Sequence, residues 1–431
     1  MTSLSRRRFM VSALALGATS CAGSDLYTGA ATKLRYWNLF GGGDGVNMLA
    51  MLDAFRAANP DVEVEASTLA WGPPYYTKLA MASTGGRAPD VAILHLSRLP
   101  AFAPAGLLDP VDLDLLAEAG VRPEDFPQSI WEQGQHGGRT YAVPLDTHPL
   151  VMYYNVDVCA KAGLLDAAGK LKPITGPDQI IEAFLAAKRV TGAHGMSVET
   201  FGPGAVSPWR LFWTMYRQLG GELRLDGPKL AIDDGKALQA LEFMRRLSTS
   251  GAAVTEVDYQ GSVALFAAGK AGFHWNGEWE VSSFLTAKTP FSMTRFPSVF
   301  NGSAVVEADA HTLVLPHRRD RGGAAERAAY RFIAFLLKNS VTWAKGGHIP
   351  AYRPVAESQE YLALEPQSAY RSVADEVQLD PPAWFSGSGS VLETETGAAF
   401  STVLTGRGSA RDGLDQAKSA LQKLLDTPSP V

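Results

Sequence analysis

Residues able to do chemistry are spread along this chain and fall into no familiar catalytic motif. A Gly-x-Ser-x-Gly turn, a His-Glu-x-x-His helix, paired cysteine ligands and a Gly-Lys-Ser/Thr phosphate loop are all missing from the sequence. Eight histidines occur, but no two stand at metal-ligand spacing on one helix, so neither a metal nor another cofactor is expected. Glu278 and Glu280 come nearest to a glycosidase pair, yet no opposing carboxylate can be assigned to them. The residue types point away from an enzyme and towards binding.

Recognition chemistry is better supplied. Trp71, Tyr75, Trp209 and Trp279 each stand at the start of a helix or in a turn, beside polar neighbours. A sugar ring offers an apolar face that stacks on Trp or Tyr, and hydroxyls that need Asp, Asn, His or Arg. Trp213 and Trp343 lie inside helices among apolar neighbours and are assigned to the core.

Several elements must position these groups. Residues 33–40, 61–66 and 90–94 read as strands, separated by a helix carrying Met48, Met51, Leu52 and Phe55 and a second helix over 71–83. That β-α-β-α-β order implies a parallel sheet with helices on its faces. Ligands of such sheets gather at the carboxyl ends of the strands, here Asn38 to Asp44 and His95 to Arg98. The Gly41–Gly45 loop lacks the dinucleotide fingerprint, because Val46 stands where its last glycine should be. Its glycines serve a tight turn or the close approach of a ligand. Further along, helices are expected over 177–191, 209–219, 233–248, 263–268, 325–338 and 413–425, with strands over 271–275 and 312–316.

Residues 141–155 join the two halves. Two β-prone runs, 141–145 and 150–154, flank Asp146-Thr147-His148-Pro149, and Pro149 bars a continuous ladder. The stretch reads either as a kinked central strand or as one that crosses between lobes with polar side chains at the crossing.

At 431 residues the chain is long enough for two cores. A net charge of −5, with no basic block beyond the first residues, argues against a nucleic-acid partner. Residues 1–21 carry Ser5-Arg6-Arg7-Arg8-Phe9, a short apolar run and Ala18-Thr19-Ser20-Cys21. The first element resembles a twin-arginine export signal and the last a bacterial lipobox whose Cys21 is lipidated. Residues 22–32 form a linker. Cys159 is the one other cysteine, so no disulfide forms within the mature chain.

Taken in order, these features resemble a family. The export signal, Tyr36-Trp37-Asn38, Ala88-Pro89-Asp90-Val91, residues 141–146, Tyr154-Asn155, Leu219-Gly220-Gly221, Gly269-Lys270-Ala271, Asn276-Gly277-Glu278-Trp279 and Ile349-Pro350-Ala351 are similar to bacterial extracellular solute-binding proteins of carbohydrate-uptake ABC transporters, the maltose-binding type. The resemblance implies an α/β periplasmic-binding-protein fold. It has two discontinuous lobes, each a mainly parallel sheet flanked by helices, closing on a ligand. The first lobe would hold 33–145 plus about 281–325. The second would hold 146–280 plus about 326–431.

The resemblance also implies a cleft. Asn38, Gly42, Asp44, Trp71, Tyr75, His95 and Arg98 would come from the first lobe. Asp146 and His148 would come from the crossing, and Trp209, Asn276, Gly277 and Trp279 from the second lobe. His311, Arg353 and Glu393 are placed there by order along the chain. The family often has glycines before the strand at Thr312, where this chain has Glu307-Ala-Asp-Ala-His311. A sugar or oligosaccharide ligand, membrane permease subunits and a monomeric, lipid-anchored protein on the outer face of the cytoplasmic membrane follow from the resemblance. The same scaffold holding a glycerophosphodiester or polyol phosphate, and a secreted carbohydrate-active hydrolase, are the competing readings.

Overall fold

The computed structural model describes residues 32–300 and 302–429. The expected export signal and its Cys21 lie outside the described residues. Each of two sheets has its own apolar core.

The first sheet orders its strands Val62–Thr68, Thr32–Asn38, Val91–His95, His311–Pro316 and Leu108–Asp109, with Ala142–Pro144 also paired to His311–Pro316. Its first three strands run parallel, as the alternation of strand and helix requires. Val91–His95 is buried throughout, because helices cover both faces of a parallel sheet. The helix Gly42–Ala58 buries Met48, Met51, Leu52 and Phe55 against it, the apolar stripe read from the sequence.

The second sheet orders Val377–Gln378, Val306–Asp309, Asp146–Asn155, Ala271–Gly277 and His194–Ser197. Phe291–Arg295 and Ile349–Pro350 also pair with Asp146–Asn155. Every residue of that ten-residue strand is buried. The chain breaks at Leu145 rather than at Pro149, and the strand runs straight through the proline. Pro149 is tolerated because partners change there: residues 150–154 face Ala271–Gly277, while Asp146 and Thr147 face Ile349–Pro350. This strand is the crossing.

The expected lobe boundaries need correction. Val281, Phe284, Met293 and Val299 belong to the second core, since Phe291–Arg295 pairs with the crossing strand. Phe332, Ile333 and Leu336 belong to the first core. The helix Gly323–Lys338 lies on the first sheet, where Phe332 meets Tyr36 at 4.9 Å and Phe55 at 5.0 Å between ring centroids. The chain therefore passes between cores near 145–150, again near 306–310, and a third time beyond Val355. Among the described residues no helix is long and apolar enough to cross a membrane.

Candidate functional site

Polar side chains converge where the cores meet. Asp146, the first residue of the crossing strand, is fully enclosed. Its Oδ1 accepts from the His311 backbone N–H at 2.8 Å and pairs with His148 Nδ1 at 3.0 Å. Its Oδ2 accepts from Trp343 Nε1 at 2.5 Å and pairs with His311 Nδ1 at 2.8 Å. Burial opposes its charge, but the surrounding His311, His148 and His348 hold its carboxyl well below the usual range. Burial pushes His148 down to about 3, so it stands neutral beside the ionised Asp146. His148 and His311 stack at 4.1 Å, and His95 stands edge-on to both. Tyr76 OH fixes His95 through Nδ1 at 2.6 Å.

A second cluster lies at the start of the helix Ser207–Gln218. Glu199 caps this helix, its Oε2 accepting from the Val206 and Ser207 N–H groups and from Ser207 Oγ. The fourth residue of this helix, Arg210, is buried with its Nε 3.0 Å from Glu393 Oε1 and 3.8 Å from Glu307 Oε1. Glu393 sits in the first turn of the helix Val391–Leu404, where its Oε2 accepts from the Gly389 N–H at 2.5 Å. Asp380 and Asp309 complete the wall. Burial pushes Asp380 up to about 8 and Asp309 up to about 6, and holds Glu307 well above its ordinary value. Four buried carboxyl groups thus face two guanidinium groups, those of Arg210 and Arg98.

Aromatic rings close the cleft from both lobes. Trp71, 40% exposed, precedes the helix Pro73–Thr84 of the first lobe. Trp279 follows the strand Ala271–Gly277 of the second. The Arg210 guanidinium lies 5.8 Å from the Trp71 ring and 5.7 Å from the Trp279 ring. Tyr259 OH holds Trp279 by accepting from its Nε1 at 2.6 Å and from Asn276 Nδ2 at 3.1 Å. Gly277 is required here, since a Cβ would run into the Trp279 ring. Across the cleft, the Ser388 N–H donates to Ser97 Oγ at 2.9 Å and Arg98 donates to the Ser386 carbonyl at 3.0 Å. Gly387, at φ +93°, lets that loop approach, because a Cβ would meet the Ser97 backbone.

The structure gathers Asp44, Trp71, His95, Arg98, Asp146, His148, Asn276, Gly277, Trp279, His311 and Glu393 around these two clusters. The five other expected residues are placed differently. Trp209 is fully buried between Trp213 and Phe400, its Nε1 donating to Asp380 at 2.8 Å, so it offers no free ring face. Tyr75 turns inward to donate to the Ile93 carbonyl at 2.6 Å, and its neighbour Tyr76 takes the cleft position. Arg353 is exposed and donates to the Phe126 carbonyl at 2.6 Å, within the first lobe. Asn38 ends its strand, its Oδ1 occupied in accepting from the Phe40 N–H and Thr68 Oγ1. Gly42 opens its helix at φ +53°. Asp146 is enclosed by protein donors, so it positions the imidazoles around it and presents no surface to a ligand. Sequence reasoning missed Tyr76, Ser97, Arg210, Glu307, Asp309, His348 and Asp380. The departure from glycines at 307–311 was a signal for two of these.

A sequence model of the bacterial extracellular solute-binding protein family matches residues 42–343. The chain belongs to that family of two-lobed, exported binding proteins. Putative binding proteins of Brucella abortus (strain 2308) and Brucella suis biovar 1 (strain 1330) are 25% identical over 147 residues. That match spans 34% of this chain and 35% of each relative, about a third of the curated relatives' length. Among solved structures, the GacH receptor of Streptomyces glaucescens GLA.O, studied unliganded and with acarbose, superposes with a TM-score of 0.75 at 20% identity, covering 92% of this chain and 99% of that one. Maltose-bound MalE3 of T. maritima gives 0.76 at 19% identity over 91% and 100%. UgpB of Mycobacterium tuberculosis, in complex with glycerophosphocholine, gives 0.75 at 19% identity over 92% and 99%. At these identities the likeness establishes the fold.

Proposed function

We propose that this protein is the exported binding subunit of an ABC importer and captures a sugar or oligosaccharide between its lobes. The observation that carries this reading is the pairing of Trp71 from one lobe with Trp279 from the other about a common, carboxylate-lined space. Apolar sugar faces stack on such rings, and hydroxyls pair with carboxylates and guanidinium groups. A ligand touching both rings binds the closed arrangement better than an open one, so it shifts the equilibrium to closure. The closed form then docks on permease subunits. Cys21 anchors the mature monomer to the outer face of the cytoplasmic membrane after export by a twin-arginine signal. The protein delivers its ligand unchanged.

A glycerophosphodiester ligand is the second reading, favoured by Arg98 and Arg210 in the cleft. Against it, the Arg210 guanidinium is already committed to Glu393 and Glu307 and is not free to neutralise a phosphate. Thermal-shift screening with maltooligosaccharides, other oligosaccharides and glycerophosphodiesters tests the proposal. Stabilisation by a saccharide is expected. Stabilisation by a phosphodiester alone would replace the first reading by the second.

A further inference from the structure

His348 is held in a way that hydrogen bonds do not complete. Its Nε2 pairs with Asp44 Oδ1 at 2.9 Å. Its Nδ1 is buried without a hydrogen bond, although Glu278 Oε1 stands 2.9 Å away and Asp146 Oδ2 3.2 Å away. Both carboxylate oxygens of the fully buried Glu278 also lack a hydrogen-bond partner. Contacts at these distances that miss hydrogen-bond angles leave the buried polar atoms unsatisfied. His148 and His311 bring their Nδ1 atoms to the same Asp146 carboxylate. One donor atom from each of Asp146, His148, His311 and His348 lies within 4.8 Å of every other.

We infer that this node is a binding site for a divalent transition-metal ion of the zinc type. Three imidazoles and a carboxylate, all buried, suit a borderline cation and four-coordinate geometry, whereas calcium and magnesium prefer oxygen ligands throughout. Asp44 supplies the outer contact typical of a metal-ligating histidine: a carboxylate on the far ring nitrogen that fixes the tautomer and leaves Nδ1 to ligate. Glu278 Oε1, 2.9 Å from His348 Nδ1, places a further oxygen donor at the edge of the node. Binding consumes no oxidant or reductant. His148 and His311 carry their ring protons on Nε2 instead of Nδ1, and His348 gives up any second ring proton to solvent.

The placement of the ligands gives the ion a task. His148 lies on the crossing strand Asp146–Asn155, His311 begins the strand that returns to the first sheet, and His348 immediately precedes Ile349–Pro350, which pairs with Asp146 and Thr147. One ion would tie together three segments at the boundary between the lobes. It would lie beneath the cleft, with His148 meeting Trp279 at 5.8 Å between ring centroids.

The test is metal analysis of the purified protein after dialysis, with melting temperatures in EDTA and in added zinc chloride. About one tightly held equivalent is expected, with a melting temperature that zinc raises and EDTA lowers. Cobalt substitution should give the visible absorption of a four-coordinate ion. His348→Gln should lose the equivalent, while substitution of the exposed His136 as His136→Gln should keep it. Absence of bound metal together with an unchanged melting temperature in zinc would overturn the inference. So would an equivalent that persists in His348→Gln. If that variant fails to fold, the cobalt spectrum of the unaltered protein decides, and a six-coordinate spectrum or none counts against the site.

Discussion

Arg210 Nε lies 3.0 Å from Glu393 Oε1, joining the first turns of two helices 183 residues apart. Both side chains are buried at the edge of the cleft, and the pair holds the guanidinium between two tryptophan rings. Breaking a buried pair from one side leaves an uncompensated charge, at a cost of about 3–5 kcal/mol. Glu393→Ala should therefore lower stability by that order in urea titrations. Replacing both partners, as in Arg210→Met with Glu393→Leu, should restore much of it while leaving ligand binding lost.

The stacking rings separate affinity from stability. Trp71 is 40% exposed, so Trp71→Ala should leave the urea midpoint nearly unchanged. Losing one aromatic face costs about 1.4 kcal/mol, a tenfold rise in Kd by calorimetry.

Gly277 tests the same surface through the backbone. Gly277→Ala would drive its Cβ into the Trp279 ring and displace it from Tyr259. Affinity should fall at least as far as in Trp279→Ala, with a changed tryptophan fluorescence spectrum.

Much of this arrangement was legible beforehand, for a physical reason. The helix over 177–191 appears as Pro177–Thr191, and the first strands and helices fall within a residue or two of expectation, because apolar periodicity records which face is buried. Trp71 and Trp279 were visible as aromatics at element ends. Periodicity is silent on which lobe an element joins, so residues 281–300 and the helix Gly323–Lys338 were each expected in the opposite lobe, while His311–Pro316 lies in the first sheet as expected. It also could not show that Tyr76 rather than Tyr75 faces the cleft, a matter of one residue's rotation about a helix. His95, His148, His311 and His348 look scattered because they come from different segments, and only the crossing brings them together.

A pH dependence follows from the cleft carboxyls. Asp380, raised to about 8 chiefly by burial, is protonated more readily in the folded than in the unfolded chain. Its contribution to stability is full below its unfolded value of about 3.9 and is lost as pH rises from there through about 8. Asp309, raised to about 6, adds to the same slope between about 3.9 and 6. Urea titrations at pH 5 and pH 8.5 should show a loss of stability with rising pH. Asp380→Asn, which keeps an acceptor for Trp209 Nε1, should reduce that loss.

Calorimetric titration of the purified protein with a panel of oligosaccharides and glycerophosphodiesters, run in parallel on Trp71→Ala and Trp279→Ala, bears on the whole arrangement. A saccharide should bind the unaltered protein, and each substitution, one in each lobe, should weaken it about tenfold or more. Saccharide binding indifferent to both substitutions, or binding of the phosphodiester alone, would contradict a sugar held between these two rings.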